Sequence, residues 1–349
     1  MSRTIILLVF CCLPLVVFAA SVPGLYEAQV PVLNQEQGNR DAAVKSAMRI
    51  VLVKLTGDRN AASRTALSPL ILDAEKYLLQ YRYIETPPAQ TESGDNVDTL
   101  QLWVRFDETA LNAALRDLGI PVWGKERPSI LVWLAVEDAT GRHLVSLEEK
   151  PDYVDVLERK AKSRGIILVF PLLDLEDTSK LRASDVWGRF QRPILDASRR
   201  YHADTVLVGR VESPVPDIWE GQWTAYTGDT INSWSAEGDL PDAVLDEGID
   251  GVVDMLASVF TESLTPAETA GVELEIDNVT TVAEYARVLK YLNALSSVTD
   301  VQVEKAAAGR MVFSLTAHGG EVAVKQAIAL GRTLEPMDSG GKNIYRLLP

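Results

Sequence analysis

The sequence predicts a multi-domain protein of mixed α/β and α+β class, and three observations support this fold class. Helical and extended patterns alternate near the start of the chain, near-continuous apolar strands alternate with helices in the middle, and the end has the order β-α-β-β-α-β. After a signal peptide at 1–20, we expect an N-terminal α/β module at 21–124 and a central module at 125–264. The central module should hold a mixed sheet with a parallel core and helical crossovers, and 270–349 should form a ferredoxin-like module.

The first residues have the pattern of a secretory signal peptide. Arg3 precedes an apolar run, and small residues follow at Ala19–Ser21. We therefore expect export with cleavage near Ala19–Ser21. The alternative is retention as a membrane anchor, although the run contains Pro14 and is shorter than the roughly 20 residues of a spanning helix.

Composition excludes several classes of function. Cys11 and Cys12 are the only cysteines, so the mature chain is expected to have no disulfide and no thiolate metal ligand. The 49 acidic and 34 basic residues give a net charge of −15, which argues against binding to nucleic acid or to anionic membranes. Glycine-rich nucleotide motifs are absent from the sequence, so no cofactor is expected.

The N-terminal module is predicted from local signals. Residues 25–33 are predicted to form a strand, and the helix that follows should end at Gly57, which suits a C-terminal cap. We predict a helix running into a short strand over 68–85 and a loop over 87–99. The alternating segment 100–106 indicates a strand, and Asp107 should cap the next helix.

Three apolar runs in the central module are predicted to be buried strands, at 129–138, 166–177 and 203–213. Helices are expected at 151–165 and at 186–202, the second bent or broken at Pro193. A hairpin over 218–238 should extend the sheet, and a helix over 240–264 should close the module. In the last module, Thr280 or Thr281 should cap a helix, and a hairpin should turn at Ala308–Gly309.

Four segments carry a resemblance to a known family: VLVKLTGDRNA, LGIPVWGKERPSILVWLAV, RGIILVFPLLDLED and ASRRYHADTVLVGRV. Together they resemble a proteobacterial family of exported proteins catalogued as domain of unknown function 2066, from Tyr26 to Phe260. The resemblance implies a location in the envelope of a Gram-negative bacterium and supplies no activity or catalytic residue. YHADTVLVGRVE also resembles periplasmic accessory proteins related to lipoprotein activators of peptidoglycan synthases.

A short acidic segment follows the second apolar run. Asp174, Glu176 and Asp177 would lie at the carboxyl end of that strand, where parallel sheets bind ligands. They could cap a turn and be solvated, hold calcium or magnesium, or supply a catalytic acid. We favour the first interpretation, because no glycine-bearing calcium loop surrounds them.

Two tryptophans complete the candidate surface. Trp219 and Trp223 share one face of an extended strand, because their spacing is even. They are either core residues or an exposed aromatic platform for a glycan or a protein partner. We assign no residue to catalysis, to a cofactor or to a metal.

The absence of an assembled catalytic motif favours a non-enzymatic envelope protein that binds protein partners, although the sequence leaves enzymatic activity open. One alternative is a periplasmic hydrolase that acts on wall or glycan through carboxylates such as Asp174 and Glu176. The other is a carrier of a small ligand held between domains.

Overall fold

The computed structural model describes nine stretches of the chain: 22–90, 96–138, 141–148, 151–263, 269–295, 297–307, 309–331, 333–337 and 343–348. The signal-peptide prediction for 1–20 lies outside these residues. The described chain is a mixed α/β protein with three sheets, which combine parallel and antiparallel strand pairs.

The first sheet is antiparallel and has the strand order β1-β3-β2. Its elements are β1 (Glu27–Pro31), α1 (Gln37–Thr56), α2 (Ser68–Leu72), β2 (Leu78–Gln90), β3 (Asn96–Phe106) and α3 (Glu108–Asp117). As predicted, α1 ends at Gly57, which has a φ of 72° and donates its N–H to the Val53 carbonyl. Asp107 caps α3 by accepting a hydrogen bond from the Ala110 N–H.

Two predictions in this module were wrong. The helix expected after residue 68 is only the five-residue α2, and single helical turns lead into a long β2. The loop expected over 87–99 was wrong for 87–90 and 96–99, because β2 and β3 continue to pair up to Gln90 and Asn96. Residues 91–95 of that expected loop lie outside the described residues. Cross-strand backbone hydrogen bonds thus override the turn-forming composition at the two paired ends.

The central sheet has the strand order β5-β4-β7-β8-β9, with β6 also paired to β4. Its strands are β4 (Ile130–Asp138), β5 (Gly141–Leu144), β6 (Leu168–Val169), β7 (Thr205–Val215), β8 (Ile218–Thr227) and β9 (Thr230–Gly238). Its helices are α4 (Pro151–Arg164), α5 (Leu175–Lys180), α6 (Ala183–Trp187), α7 (Gln191–Ser198) and α8 (Pro241–Ser263). The β4–β6 and β4–β7 pairs are parallel, and the others are antiparallel.

Two hydrophobic cores cover this sheet. On one face, Val132, Leu134 and Val136 of β4 pack with α4 and α8. On the other face, Leu131 and Trp133 pack with residues of α6 and α7. The alternate residues of β4 therefore serve opposite cores, which explains why its sequence is almost continuously apolar.

The second buried strand and the helix break differ from the predictions. The run 166–177 contributes only the two-residue β6, because Pro171 has no N–H to donate and Leu173 takes a φ of 51°. The predicted helix at 186–202 breaks between α6 and α7 rather than at Pro193. Pro193 occupies the first turn of α7, where a helical N–H has no partner in its own helix.

The last sheet has the strand order β11-β12-β10-β14-β13. Its elements are β10 (Thr269–Val279), α9 (Val282–Ala294), β11 (Val298–Ala307), β12 (Gly309–His318), α10 (Gly320–Leu330), β13 (Leu334–Pro336) and β14 (Ile344–Leu347). Thr281 caps α9 by accepting a hydrogen bond from the Glu284 N–H, and the Glu284 carboxylate accepts one from the Thr281 N–H. β10 and β14 are parallel, and every other pair in this sheet is antiparallel.

A buried arginine joins the ends of α1 and α4. Arg127 stacks on Trp123 and is 4 % exposed. Its guanidinium donates to the carbonyls of Lys54, Trp123, Gly124, Arg164 and Gly165. Since Lys54 and Arg164 lie in the last turns of α1 and α4, one side chain satisfies carbonyls at the ends of both helices.

Candidate functional site

The acidic segment after β6 forms a cluster in which each of the three carboxylates has a cationic partner, Arg200 or Lys180. Asp174 caps α5 by accepting from the N–H groups of Glu176 and Asp177, at 3.1 and 3.0 Å. The Arg200 guanidinium donates to both oxygens of Asp174, at 2.8 and 3.0 Å. This pairing, together with the backbone bonds, lowers the pKa of Asp174 to about 2.

Asp177 is the buried member of the cluster, at 1 % exposure. It accepts hydrogen bonds from the Tyr201 hydroxyl, from the Leu173 N–H at 3.0 Å and from Arg200 at 3.2 Å. Burial, assisted by the bond to Asp177, raises the pKa of Tyr201 to about 12. Asp177 thus holds the turn before α5 in place.

Glu176 completes the cluster in a different way. Its carboxylate pairs with Lys180 at 2.8 Å and lies 3.5 Å from Arg200, and the Lys180 bond lowers its pKa. A carboxyl group that acts as a general acid near neutral pH needs a raised pKa. The environments of Asp174 and Glu176 act in the opposite direction, and the described residues include no group of three side chains arranged to hold a metal ion.

The tryptophan pair lies against the core that the sheet shares with α8. Trp223 is 0 % exposed and Trp219 is half-buried, packed against the same core. Gly209 of β7 and Gly248 of α8 enclose the Trp223 ring, and a Cβ on either glycine would lie 2.4 or 2.3 Å from it. The exposed aromatic platform considered from the sequence is therefore not formed by this pair, because their shared face is covered by a helix.

An open cleft lies between the first sheet and α4, with a volume of about 840 Å³. Its charged and aromatic lining includes Glu27, Arg82, Trp103, Asp155, Glu158 and Lys162. The Arg82 and Arg105 guanidinium carbons lie 4.7 and 5.0 Å from the Trp103 ring. Both signs of charge line the cleft, so its lining does not favour one sign of ion.

Lys54 is the most buried cation of this cleft. Its ammonium donates to the carbonyls of Gly24 and Glu27, at 3.2 and 2.7 Å. Burial is the main cause that lowers the pKa of Lys54 to about 8. Because the ammonium bonds two carbonyls of the segment that leads into β1, its visible role is to hold that segment against α1.

The far end of the central sheet carries a row of four glutamates that the sequence analysis did not identify. Glu137 of β4 is paired in register with Glu212 of β7. Glu212 is in turn paired with Glu220 of β8, and Glu220 is paired with Glu237 of β9. Register partners point to the same face of a sheet, so these four side chains, here called the glutamate row, lie side by side at the carboxyl ends of β4 and β7.

The glutamate row is compensated at one end only. Glu137 pairs with Arg142 of β5 at 2.7 Å, and Glu212 lies 3.9 Å from Arg210. Within the described part of the chain, Glu220 and Glu237 have no ion-pair partner, and both are exposed. The uncompensated half of the row therefore lies beside β9, at the open edge of the sheet.

The strand β9 forms this edge. Among the described residues it pairs only with β8, in a nine-residue register from Trp219–Gly238 to Thr227–Thr230 that contains no bulge. The position of Glu220 opposite Glu237 could be predicted from the sequence. The hairpin was expected from the sequence, and a two-residue turn at Gly228–Asp229 places Glu220 opposite Glu237. The pairing of Glu137 with Glu212 depends on a parallel register that spans 75 residues.

The comparisons with known proteins give limited matches. The family model described as "Domain of unknown function (DUF8605)" matches residues 19–124. This finding overturns the resemblance to domain of unknown function 2066. The four segments that suggested it are helix ends and buried strands, such as the Gly57 cap and β4, which recur in unrelated α/β proteins. No curated protein matches the chain.

Among solved structures, the crystal structure of lipoprotein GNA1162 from Neisseria meningitidis is similar at 17 % identity, covering 38 % of this chain and 99 % of that chain. Its TM-score is 0.22, too low to carry an argument about fold or function. Within the described residues, every helix is too short or too polar to cross a membrane.

Proposed function

We propose that the protein is an exported, non-enzymatic protein of a Gram-negative cell envelope that binds protein partners in the periplasm. The observation that carries the proposal is the open edge of β9. A regular edge strand presents unpaired N–H and C=O groups, which an extended segment of another protein can use to add a strand. Export is supported by the pattern of residues 1–20.

The comparison of the edge strands favours β9 over β11. β11 is also an edge strand, and most of its residues are exposed, but its register with β12 shifts twice, between Val298 and Asp300 and between Val303 and Lys305. Such bulges twist an edge and discourage strand addition. β9 carries no bulge, proline or lysine.

The finer architecture is part of the same proposal. If β10, β11, β12 and β14 are taken as its four strands, the last sheet has the strand order of a ferredoxin-like module. The directions differ at one pair, because β14 is parallel to β10, whereas that module has an antiparallel pair there. Separate hydrophobic cores in the first, central and last sheets support division at 21–124, 125–264 and 270–349.

Site-specific photo-cross-linking tests the function. A benzoylphenylalanine replaces Ser235 of β9 in the exported full-length protein, and the matched control replaces Val303 of β11, which is 39 % exposed. We expect one envelope protein to be cross-linked from position 235 and not from position 303. The cross-linked residues of that protein should lie within one short segment of its chain. Identical products at both positions, or no product at position 235, would contradict the proposal.

Export has an independent test. The mass of the protein recovered from the periplasm should match a chain that begins near Ala20. A full-length chain recovered from the cytosol would exclude this part of the proposal.

A further inference from the structure

The backbone groups that β9 leaves free can be assigned from the hairpin. Gly228 has a φ of 54°, which suits the first position of a two-residue type II′ turn between Thr227 and Thr230. The residues that flank such a turn exchange hydrogen bonds with each other, and the pattern then alternates along the strand. Ile231, Ser233, Ser235 and Glu237 therefore direct their N–H and C=O groups away from β8.

The same four residues place their side chains on the face that carries the glutamate row. All four are exposed, whereas the intervening Asn232, Trp234, Ala236 and Gly238 are partly buried toward α8. An incoming strand that bonds to the free groups would place one residue directly opposite Glu237 on this face, at a Cβ separation of about 5 Å. That position determines the charge that the partner needs.

Glu237 already lies opposite a like charge when no partner is bound. Like charges directly opposite each other on neighbouring strands are destabilising, and Glu220 and Glu237 are such a pair. A lysine or arginine of the incoming strand opposite Glu237 would compensate this pair, and its long side chain can extend toward Glu220.

A second copy of this chain is a poor occupant. Two β9 strands that meet antiparallel would bring the acidic residues at the ends of the strand, Asp229, Glu237 and Asp239, near each other, and the strand contains no cation. The whole chain carries a net charge of −15, so two copies repel each other at long range.

We infer that β9 binds an extended basic segment of a partner protein, paired to Ile231, Ser233, Ser235 and Glu237 through the backbone and with a lysine or arginine opposite Glu237. This inference rests on the proposed function and adds the charge and conformation of the partner. The segment would become the new edge strand of the central sheet, next to the uncompensated half of the glutamate row.

Peptide binding to the full mature protein tests this inference. The probe is a fluorescein-labelled ten-residue peptide that alternates lysine with valine and threonine, measured by fluorescence anisotropy. One control peptide has glutamate in place of lysine. A second keeps every lysine and replaces two of the apolar residues with proline, so that it retains the charge but cannot pair as a strand.

We expect only the basic, proline-free peptide to bind. The double variant Glu220→Gln with Glu237→Gln should weaken its binding about fivefold, because the cross-strand charge pair with Glu237 and the longer-range attraction of Glu220 are both lost. Glu304→Gln on the β11 edge is the matched control and should leave affinity unchanged. Ser235→Pro should abolish binding, because it removes one outward N–H and no bond to β8; circular dichroism checks that this variant folds.

Other outcomes would overturn the inference. Equal binding of the proline-containing peptide would show that charge alone attracts the probe, and equal binding of the acidic peptide would remove the charge requirement. A dimer in analytical ultracentrifugation that Ser235→Pro dissociates would assign the edge to a second copy. No peptide binding, with a segment-specific cross-link still formed from position 235, would reject the basic partner and leave the proposed function standing.

Discussion

The two acidic clusters of the central module differ in how their charge is compensated. Asp174 and Asp177 lie within four residues of each other and share Arg200, at 2.8 and 3.2 Å. Glu220 and Glu237 lie opposite each other on the neighbouring strands β8 and β9. Neither has a cation within ion-pair distance in the described chain. We therefore expect the first cluster to stabilise the fold and the second to cost stability, and residues that cost stability are the stronger candidates for function.

The largest expected effect is on the compensated cluster. Asp177→Ala should lower the free energy of unfolding by about 3 kcal/mol, because it leaves the Tyr201 hydroxyl, the Leu173 N–H and Arg200 without their buried acceptor. Urea unfolding measures the loss. Glu176→Ala, at the exposed side of the same cluster, is the control and should have a much smaller effect. A loss for Asp177→Ala below about 1 kcal/mol would show that this carboxylate is not structural.

The pH dependence of unfolding tests the contribution of the Asp174–Arg200 pair to stability. The pKa of Asp174 in the folded protein is about 2, below its ordinary value of 3.8, because Arg200 and two N–H groups bond to the ionised form. A lowered folded-state pKa gives a stabilisation that is present above the ordinary value and is lost as the pH falls from about 4 to about 2. Unfolding free energies at pH 5, 4, 3 and 2 should therefore fall more steeply in the wild type than in Asp174→Asn. Parallel curves would exclude the Arg200 pairing as a source of stability.

The smallest expected effect has the opposite sign. Glu220→Gln should raise the free energy of unfolding by about 0.5 kcal/mol, because it relieves repulsion from register partners on both sides. Added salt should shrink the gain, since exposed charges are screened. Glu304→Gln serves again as the control. A variant that unfolds more easily than the wild type would mean that Glu220 is compensated, and the difference between the two clusters would disappear.

Local chemistry accounts for the elements that could be predicted. The end of α1 at Gly57, the Asp107 cap of α3 and the β8–β9 hairpin all follow from residues close together in the chain. The capping interpretation of the acidic segment also relied on local signals, and the structure places Asp174 at the N-cap of α5. Its partner Arg200 lies 26 residues away and was not anticipated.

The incorrect predictions share a cause. Apolar composition predicted a long strand over 166–177, but only Leu168 and Val169 find a partner, in β4. Polar, turn-forming composition predicted a loop over 87–99, but β2 and β3 pair at its two described ends, 87–90 and 96–99. Whether a segment becomes a strand depends on the backbone that lies beside it, and composition does not specify that neighbour.

Residue types and their near neighbours account for the helix caps, the β8–β9 hairpin, the apolar strands β4 and β7 and the strong excess of acidic residues. Which carboxylates lie next to each other depends instead on how the strands pair. The glutamate row joins residues from four strands, two of them paired in parallel across a crossover, so its existence depends on sheet register. Register is set by how both faces of the sheet pack against their helices, and no short stretch of sequence contains that information.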